Sequence, residues 1–336
     1  NASSSAAIAR IGKNDTQFSH MTLVYIDEKD IAHTIEAHIE IGNVVAPLHV
    51  HLNQKNSRTV VYRHSDPALA HRAAQIMYES VKKQQDTGKN IPYDFSMDYN
   101  DMSKIFCSEV VSWGYRLASK ERNEEFDMPL YKTRFNKGLI SFLNILGINI
   151  NDKNYKVFDT FGPGDIQFDP RFDMVAEWRN PKKMQDTRLK DTILTKLFTW
   201  MENDGYKFDH SASVSVTSNL FWLMRKVPYL NEIQDLNKQF PLNMNVGQLK
   251  LFRTLDVVVD VMTERLLEKQ KANKKVLSPF DMYQELDKFM IEDANKYVLY
   301  KKYKREKNRS KDLYRRSRAH KKMKKNGPAF HINFHN

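Results

Sequence analysis

The only cysteine of the 336-residue chain, Cys107, follows an extended segment rich in tyrosine and aspartate. From Ser108 to Ala118 the apolar residues recur at intervals of three and four, which predicts a helix. Cys107 is therefore expected at the first helical turn, where unpaired backbone N–H groups and the helix dipole favour a thiolate over a thiol. That position suits a nucleophile, but a lone cysteine is also common as a small core residue. This segment alone leaves both interpretations open.

A cysteine nucleophile needs a base within hydrogen-bonding reach, and the base needs a third group that orients it. Among the eleven histidines, His20 opens one predicted strand, and Glu36 lies on the next. If the apolar faces of the two strands coincide, a register with Tyr25 opposite Ile31 also puts His20 opposite Glu36. Opposed residues have Cβ atoms about 4.5–5.5 Å apart, close enough for a carboxylate to hold an imidazole. Cys107, His20 and Glu36 are therefore a candidate triad.

Several predicted elements must position these three residues. Alternating apolar residues predict the strands of a small, mostly antiparallel sheet, at residues 19–26, 31–40, 44–52 and 59–62. A helix is predicted over residues 66–85, with Asp66 as N-cap and Pro67 in the first turn. Beyond about residue 150 helical patterns dominate, at residues 184–203, 215–225, 246–271 and from 278 onward. The sequence therefore predicts an α+β class.

The distribution of charge and pattern predicts three regions: a catalytic domain over residues 1–150, a helical accessory domain over 151–300 and a basic tail over 301–336. Residues 1–150 hold 17 Lys/Arg and 17 Asp/Glu, whereas residues 301–326 hold 14 Lys/Arg and two acidic residues. The net charge of +12 therefore belongs to the tail. A segment this basic, Lys301 to Lys325 above all, binds anionic surfaces or is a solvated helix end. Without a nucleic-acid-binding motif, specific nucleic-acid recognition is not expected.

The composition and motifs also bear on disulfides, metal sites and other candidate catalytic residues. One cysteine excludes an internal disulfide and a cysteine-based zinc site. His49 and His51, if they share a strand face, could bind a metal with His38 or His33, but no HExxH spacing supports this, and neither a metal nor a cofactor is predicted. Glu109 is expected to be a first-turn dipole partner or a structural anchor rather than a catalytic acid. The first residues, Asn1 to Ser5, show no signal-peptide pattern and indicate a processed or truncated N-terminus.

The candidate residues stand within recognisable motifs. These are Phe18-Ser19-His20-Met21-Thr22, Ile35-Glu36-Ala37 followed by Gly42-Asn43, and Phe106-Cys107-Ser108-Glu109. In this order they resemble the YiiX/YebB/YaeF-type hydrolases, which are circularly permuted papain-like proteins related to NlpC-type cell-wall amidases and to lecithin–retinol acyltransferase. The resemblance covers residues 3–118, and it lacks the Gly-Asp strand with which family members usually begin.

The resemblance implies that Cys107 is the nucleophile, His20 the general base and Glu36 the orienting residue of a cysteine hydrolase or acyltransferase. It also implies a permuted papain-like catalytic domain and a peptide, peptidoglycan or acyl-lipid substrate. The location it favours is the bacterial cell envelope or periplasm. The alternative is a non-catalytic envelope- or polyanion-binding protein that acts through the helical domain and the basic tail.

Overall fold

The computed structural model describes residues 18–39, 41–52, 56–135, 140–148, 150, 151, 153, 158–227 and 244–336. Helices and small antiparallel sheets are both present, as the predicted α+β class requires. The chain divides into two compact units, one of residues 1–187 and 218–249 and one of residues 188–217 and 250–336. This grouping of contacts does not define independent domains, so the sequence boundaries at 150 and 300 stay predictions.

The elements follow in chain order. Those up to residue 179 are β1 (Leu23–Ile26), β2 (Ala32–His38), β3 (Gly42–Pro47), α1 (Leu48–Leu52), β4 (Arg58–His64), α2 (Pro67–Asp86), α3 (Cys107–Glu121), β5 (Tyr131–Thr133), α4 (Ile140–Leu146), β6 (Phe158–Thr160) and β7 (Phe172–Arg179). Those that follow are α5 (Pro181–Asn203), β8 (Lys207–Phe208), α6 (Ala212–Met224), α7 (Val246–Asn273), α8 (Pro279–Arg309), α9 (Leu313–Lys325) and β9 (Phe334–His335).

The strands β1, β2 and β3 form an antiparallel sheet in that order. Leu23 pairs with Ile35, and Tyr25 pairs with His33. The predicted pairing of Tyr25 with Ile31 is therefore wrong by two residues, because Ile31 lies outside β2 and hydrogen-bonds to Asp27 within the turn. A shift of two keeps every side chain on its predicted face.

The prediction of a single four-stranded sheet is wrong for its third and fourth strands. The third strand, β3, ends at Pro47, and residues 48–52 form the short helix α1 instead of continuing the strand. Proline lacks a backbone N–H and cannot donate to the ladder, which favours this ending. The fourth strand, β4, pairs with β7 in a separate two-stranded ribbon.

The helices α2 and α3 pack on each other and on the three-stranded sheet. As predicted, Asp66 caps α2, accepting hydrogen bonds from the backbone N–H groups of Ala68 and Leu69. A Cβ atom at Gly114 would stand 2.9 Å from the carbonyl oxygen of Ala73. Glycine therefore allows α3 to approach α2 closely, which fixes the start of α3 relative to the sheet.

Gly42 and Asn43 of β3, called the clamp below, hold the segment that leads to Cys107. The Asn43 side-chain amide donates to the carbonyl oxygens of Ile91 and Ile105, at 3.1 and 3.0 Å. Gly42 has a φ of +77°, and a Cβ atom there would clash with the carbonyl oxygen of Ile91. Both the backbone conformation and the close approach therefore require glycine.

In the second unit, the predicted capping box of Ser278 and Asp281 begins α8. The basic segment continues through the end of α8 into α9, which packs against α8. After α9 the chain buries Phe330 and Phe334, and the backbone N–H of Phe330 donates to the Asp293 carboxylate at 3.0 Å. In the described part of the chain, no helix has the length and apolar character needed to cross a bilayer.

Candidate active site

The imidazole of His20 and the carboxylate of Glu36 meet, as the sequence predicted. His20 lies just before β1, Glu36 lies on β2, and His20 Nε2 is 3.1 Å from Glu36 Oε2. The observed strand pairing, continued beyond β1, puts His38 rather than Glu36 opposite His20. The predicted contact therefore forms between diagonal neighbours, which lie on the same face of the sheet.

Three histidines converge on a single oxygen of Glu36. In addition to His20, His51 Nδ1 lies 2.8 Å and His38 Nε2 3.2 Å from Glu36 Oε2. The hydroxyl of Thr34 donates to the other oxygen, Oε1, at 3.1 Å. Glu36 is only 1% exposed. Burial alone raises the pKa of its carboxyl, but the hydrogen bonds from the three imidazoles outweigh burial and hold the pKa far below its usual range.

The imidazole of His20 is neutral near neutral pH. Partial removal from water lowers its pKa, and the neighbouring His38 and His51 lower it further, against the opposite effect of Glu36. The site therefore combines an anionic carboxylate with a neutral imidazole. This is the protonation state that a general base requires before it accepts a proton.

Cys107 is the first residue of α3, as predicted, and it is 1% exposed. The backbone N–H groups of Met21 and Ser108 act on its thiol and lower its pKa. Burial is the larger effect, however, and raises the pKa of the thiol to about 11. The backbone at the helix start does favour the thiolate, as expected, but burial outweighs it and the thiol form prevails.

Of the three candidate residues, His20 and Glu36 are in direct contact, and Cys107 is linked to them indirectly. His20 contacts Glu36 directly, whereas Cys107 is linked to this pair only through the backbone N–H of Met21, the neighbour of His20, which lowers the pKa of the thiol. Among the described contacts of Cys107 and His20, none is a hydrogen bond between the thiol and the imidazole. Catalytic hydrogen bonds are often longer in enzymes without bound substrate than in their complexes.

Glu109 stabilises the helix that carries Cys107. Its Oε2 accepts a hydrogen bond from the backbone N–H of Phe106 at 2.8 Å, as in one half of a capping box. The side chain is fully buried, and burial raises its pKa to about 9, with Asp94 and Asp98 adding to the shift. Glu109 is therefore a neutral structural anchor at neutral pH.

Sequence reasoning did not assign His38 and His51 to this site. His38 lies two residues after Glu36 on β2, and this spacing alone places both side chains on one face of the strand. His51 lies on α1 and reaches Glu36 only because the chain turns after Pro47. The pairing of His49 with His51 on a strand face is wrong, since His49 is exposed on the helix while His51 is buried.

The histidine cluster opens into a cavity of about 1090 Å³. His20, His38 and His51 line it together with apolar side chains, among them Val24, Ile26, Leu52, Val175 and Trp178. Its size is slightly above the range of about 300–1,000 Å³ for small-molecule sites. In this cluster His20, Glu36 and His38 also present one ligand atom each for a metal ion, all within 4.8 Å of one another.

Residues 2–151 match the sequence profile of the family described as permuted papain-like amidase enzymes, YaeF/YiiX. No curated protein and no solved structure shows a significant match to the chain. The matched region contains β1 to β3, α2, α3 and the complete histidine cluster. The family is one of papain-like amidases and cysteine peptidases, so the protein is an enzyme of that class. Residues 2–151 are therefore similar to the YaeF/YiiX family of permuted papain-like amidases.

Proposed function

We propose that the protein cleaves an amide or ester bond with Cys107 as nucleophile, His20 as general base and Glu36 as the group that orients His20. The observation that carries this proposal is the 3.1 Å contact between His20 and Glu36, together with the position of Cys107 at the start of α3. A base oriented by a third group, next to a thiol at a helix start, has the composition of a cysteine hydrolase site.

In the first step the Cys107 sulfur attacks the substrate carbonyl carbon while its proton passes to His20. Backbone N–H groups at the start of α3 stabilise the negative charge that develops on the carbonyl oxygen. The tetrahedral intermediate collapses, the bond to the amine or alcohol breaks, and His20 returns its proton to the leaving group. The product is a thioester on Cys107.

In the second step water attacks the thioester carbonyl, and His20 accepts a proton from the water. The carbon–sulfur bond then breaks, His20 passes its proton to the sulfur, and a carboxylic acid and the Cys107 thiol result. An alcohol or amine in place of water would give acyl transfer. Because burial keeps the resting thiol protonated, the reaction depends on proton removal during the attack.

The acyl-enzyme is the intermediate to detect. A peptide amide and an activated acyl ester are mixed separately with the protein, and intact-protein mass spectrometry measures the mass added to the chain. We expect one acyl group on Cys107 in the wild type and none in Cys107→Ser. A product formed at equal rates by both chains would contradict the proposal.

The substrate that we propose is a peptide, a peptidoglycan fragment or an acyl lipid, at the bacterial cell envelope or periplasm. The exposed basic side chains at the end of α8 and on α9 suit an anionic surface there. The alternative, a binder without catalysis, would retain all biological activity in Cys107→Ser. Replacing Lys321, Lys324 and Lys325 by glutamine tests the surface contact, and unchanged binding to anionic vesicles would contradict it.

A further inference from the structure

The histidine cluster around Glu36 has the donor set of a transition-metal site. Imidazole nitrogens and a carboxylate oxygen are the ligands of many zinc sites, and two histidines with one glutamate form a known catalytic set. We propose that His20 Nε2, His38 Nε2 and the Glu36 carboxylate bind a divalent transition metal ion of the zinc type. Because His20 is also the base of the proposed reaction, the bound ion inhibits the enzyme reversibly; this role rests on the proposed function.

The distances already approach those of a coordinated ion. Neighbouring ligands of a tetrahedral zinc ion, bonded at about 2.0–2.1 Å, are about 3.3 Å apart. His20 Nε2 and His38 Nε2 lie 3.1 and 3.2 Å from Glu36 Oε2, and all three ligand atoms lie within 4.8 Å of one another. The two imidazoles only have to turn towards each other, with their protons on the opposite ring nitrogens.

The charge of the cluster favours a cation. Glu36 is buried, and its described ion pairs are all with histidines, none with lysine or arginine. A buried carboxylate without a permanent cation gains from a positive ion that reaches it. A divalent ion coordinated by Glu36 and two neutral imidazoles would supply that charge.

The surroundings provide access and support. The side chains of His20 and His38 are 31% and 24% exposed, and both line the cavity, so an ion and a water ligand can reach them. Thr34 holds Oε1 of Glu36, and His51 holds Oε2 at 2.8 Å. Such outer contacts orient a metal-binding carboxylate and raise the affinity of a site.

The binding test uses the full chain with Cys107→Ser, which removes the thiol both as a ligand and as a nucleophile. Isothermal titration calorimetry with Zn²⁺ should show one saturable site per chain. His38→Gln keeps a hydrogen-bonding side chain but removes the ligand, and we expect at least about tenfold weaker binding. The matched control is His49→Gln, an exposed histidine outside the cluster, which should bind like the parent.

Absence of a saturable site, or equal affinity in the parent and in His38→Gln, would overturn the metal site. Circular dichroism verifies that each variant folds, and His20→Gln gives a second ligand variant.

The inhibitory role is measured separately, as the rate at which an acyl probe labels Cys107 in the wild-type cysteine chain. Saturating Zn²⁺ should slow the labelling of Cys107, and a chelator should restore its rate. In His38→Gln the same Zn²⁺ should slow labelling much less. A labelling rate that Zn²⁺ leaves unchanged in the chain with the native His38 would overturn the inhibition. A chain that binds Zn²⁺ but never labels would overturn the proposed function and leave the site standing.

Discussion

His51 Nδ1 lies 2.8 Å from Glu36 Oε2, closer than the 3.1 Å between the same oxygen and His20 Nε2. His51 is buried, whereas the side chain of His20 is 31% exposed to the cavity. The inner histidine therefore fixes the carboxylate on which the outer histidine depends. Under the proposed function, His51 is a positioning residue that does not itself contact the substrate.

Replacing His51 by alanine should reduce kcat/KM for acyl-enzyme formation about tenfold, an energy of about 1.4 kcal/mol, because a hydrogen bond to a charged group is lost. Stopped-flow measurement of acyl-enzyme formation gives the value. The control is His49→Ala on the same helix, which should not change it. A positioning role also predicts that His51→Asn restores part of the rate and that KM changes little. Equal rates for the alanine variants of His51 and His49 would contradict it.

Glu109 should make the protein less stable as the pH rises. Its pKa in the folded chain is about 9, against an ordinary value of 4.5. Between these two values the unfolded chain has released the proton that the folded chain retains, so the free energy of unfolding falls with increasing pH. Glu109→Gln removes this effect and keeps an acceptor for the Phe106 N–H.

The expected result is that the stability advantage of Glu109→Gln over the wild type grows between about pH 5 and about pH 8. Urea denaturation at several pH values measures it, and all other titrating groups cancel in the difference. A difference that does not change with pH would show that Glu109 is ionised in the folded chain.

The resting thiol of Cys107 should lose its proton only at a higher pH than an ordinary cysteine thiol. Burial raises its pKa from 9.0 to about 11, so alkylation by a small neutral reagent in His20→Ala should still be increasing above pH 9.0. Mass spectrometry after timed quenching gives the rate. The same chain in concentrated denaturant is the control, and its rate should level off near the ordinary pKa. A plateau below pH 8 in the folded variant would contradict the assigned buried thiol.

A comparison of Gly42 with Gly88 separates the effect of a left-handed backbone from the effect of a close backbone contact. Their φ angles are +77° and +74°, but a Cβ atom would meet the Ile91 carbonyl only at Gly42, whereas nothing lies within 4 Å at Gly88. Alanine at Gly88 should cost about 1–2 kcal/mol from the left-handed backbone alone. Alanine at Gly42 should cost more, because the segment held by β3 must move. Equal losses in urea denaturation would contradict the clamp.

Local patterns were sufficient to predict much of the fold. The helix at Cys107, the Asp66 cap and the Ser278 capping box follow from periodicity and cap chemistry within a few residues, and the structure confirms them. The contact between His20 and Glu36 was predicted through a register that is wrong by two residues. It still forms because a shift of two preserves the faces of both strands.

The rest depended on contacts between segments far apart in sequence. No local pattern shows that β4 pairs with β7, more than a hundred residues later, or that His51 reaches Glu36. The raised pKa of the Cys107 thiol likewise comes from tertiary burial, which outweighs the local effect of the helix start. The apolar pattern of residues 137–146 predicts a further helix; α4 (Ile140–Leu146) confirms its later part, and residues 137–139 lie outside the described residues.

In the proposed reaction Cys107 is the nucleophile, His20 removes its proton, and the carboxylate of Glu36 orients His20. The most direct measurement is the rate at which a thiol-directed acyl probe labels Cys107 near neutral pH, in the wild type, His20→Ala and Glu36→Gln. Because the resting thiol is protonated, removing the base should slow labelling by at least about a hundredfold, and Glu36→Gln should be intermediate. Labelling of Cys107 that is equally fast in the wild type and in His20→Ala would contradict the account.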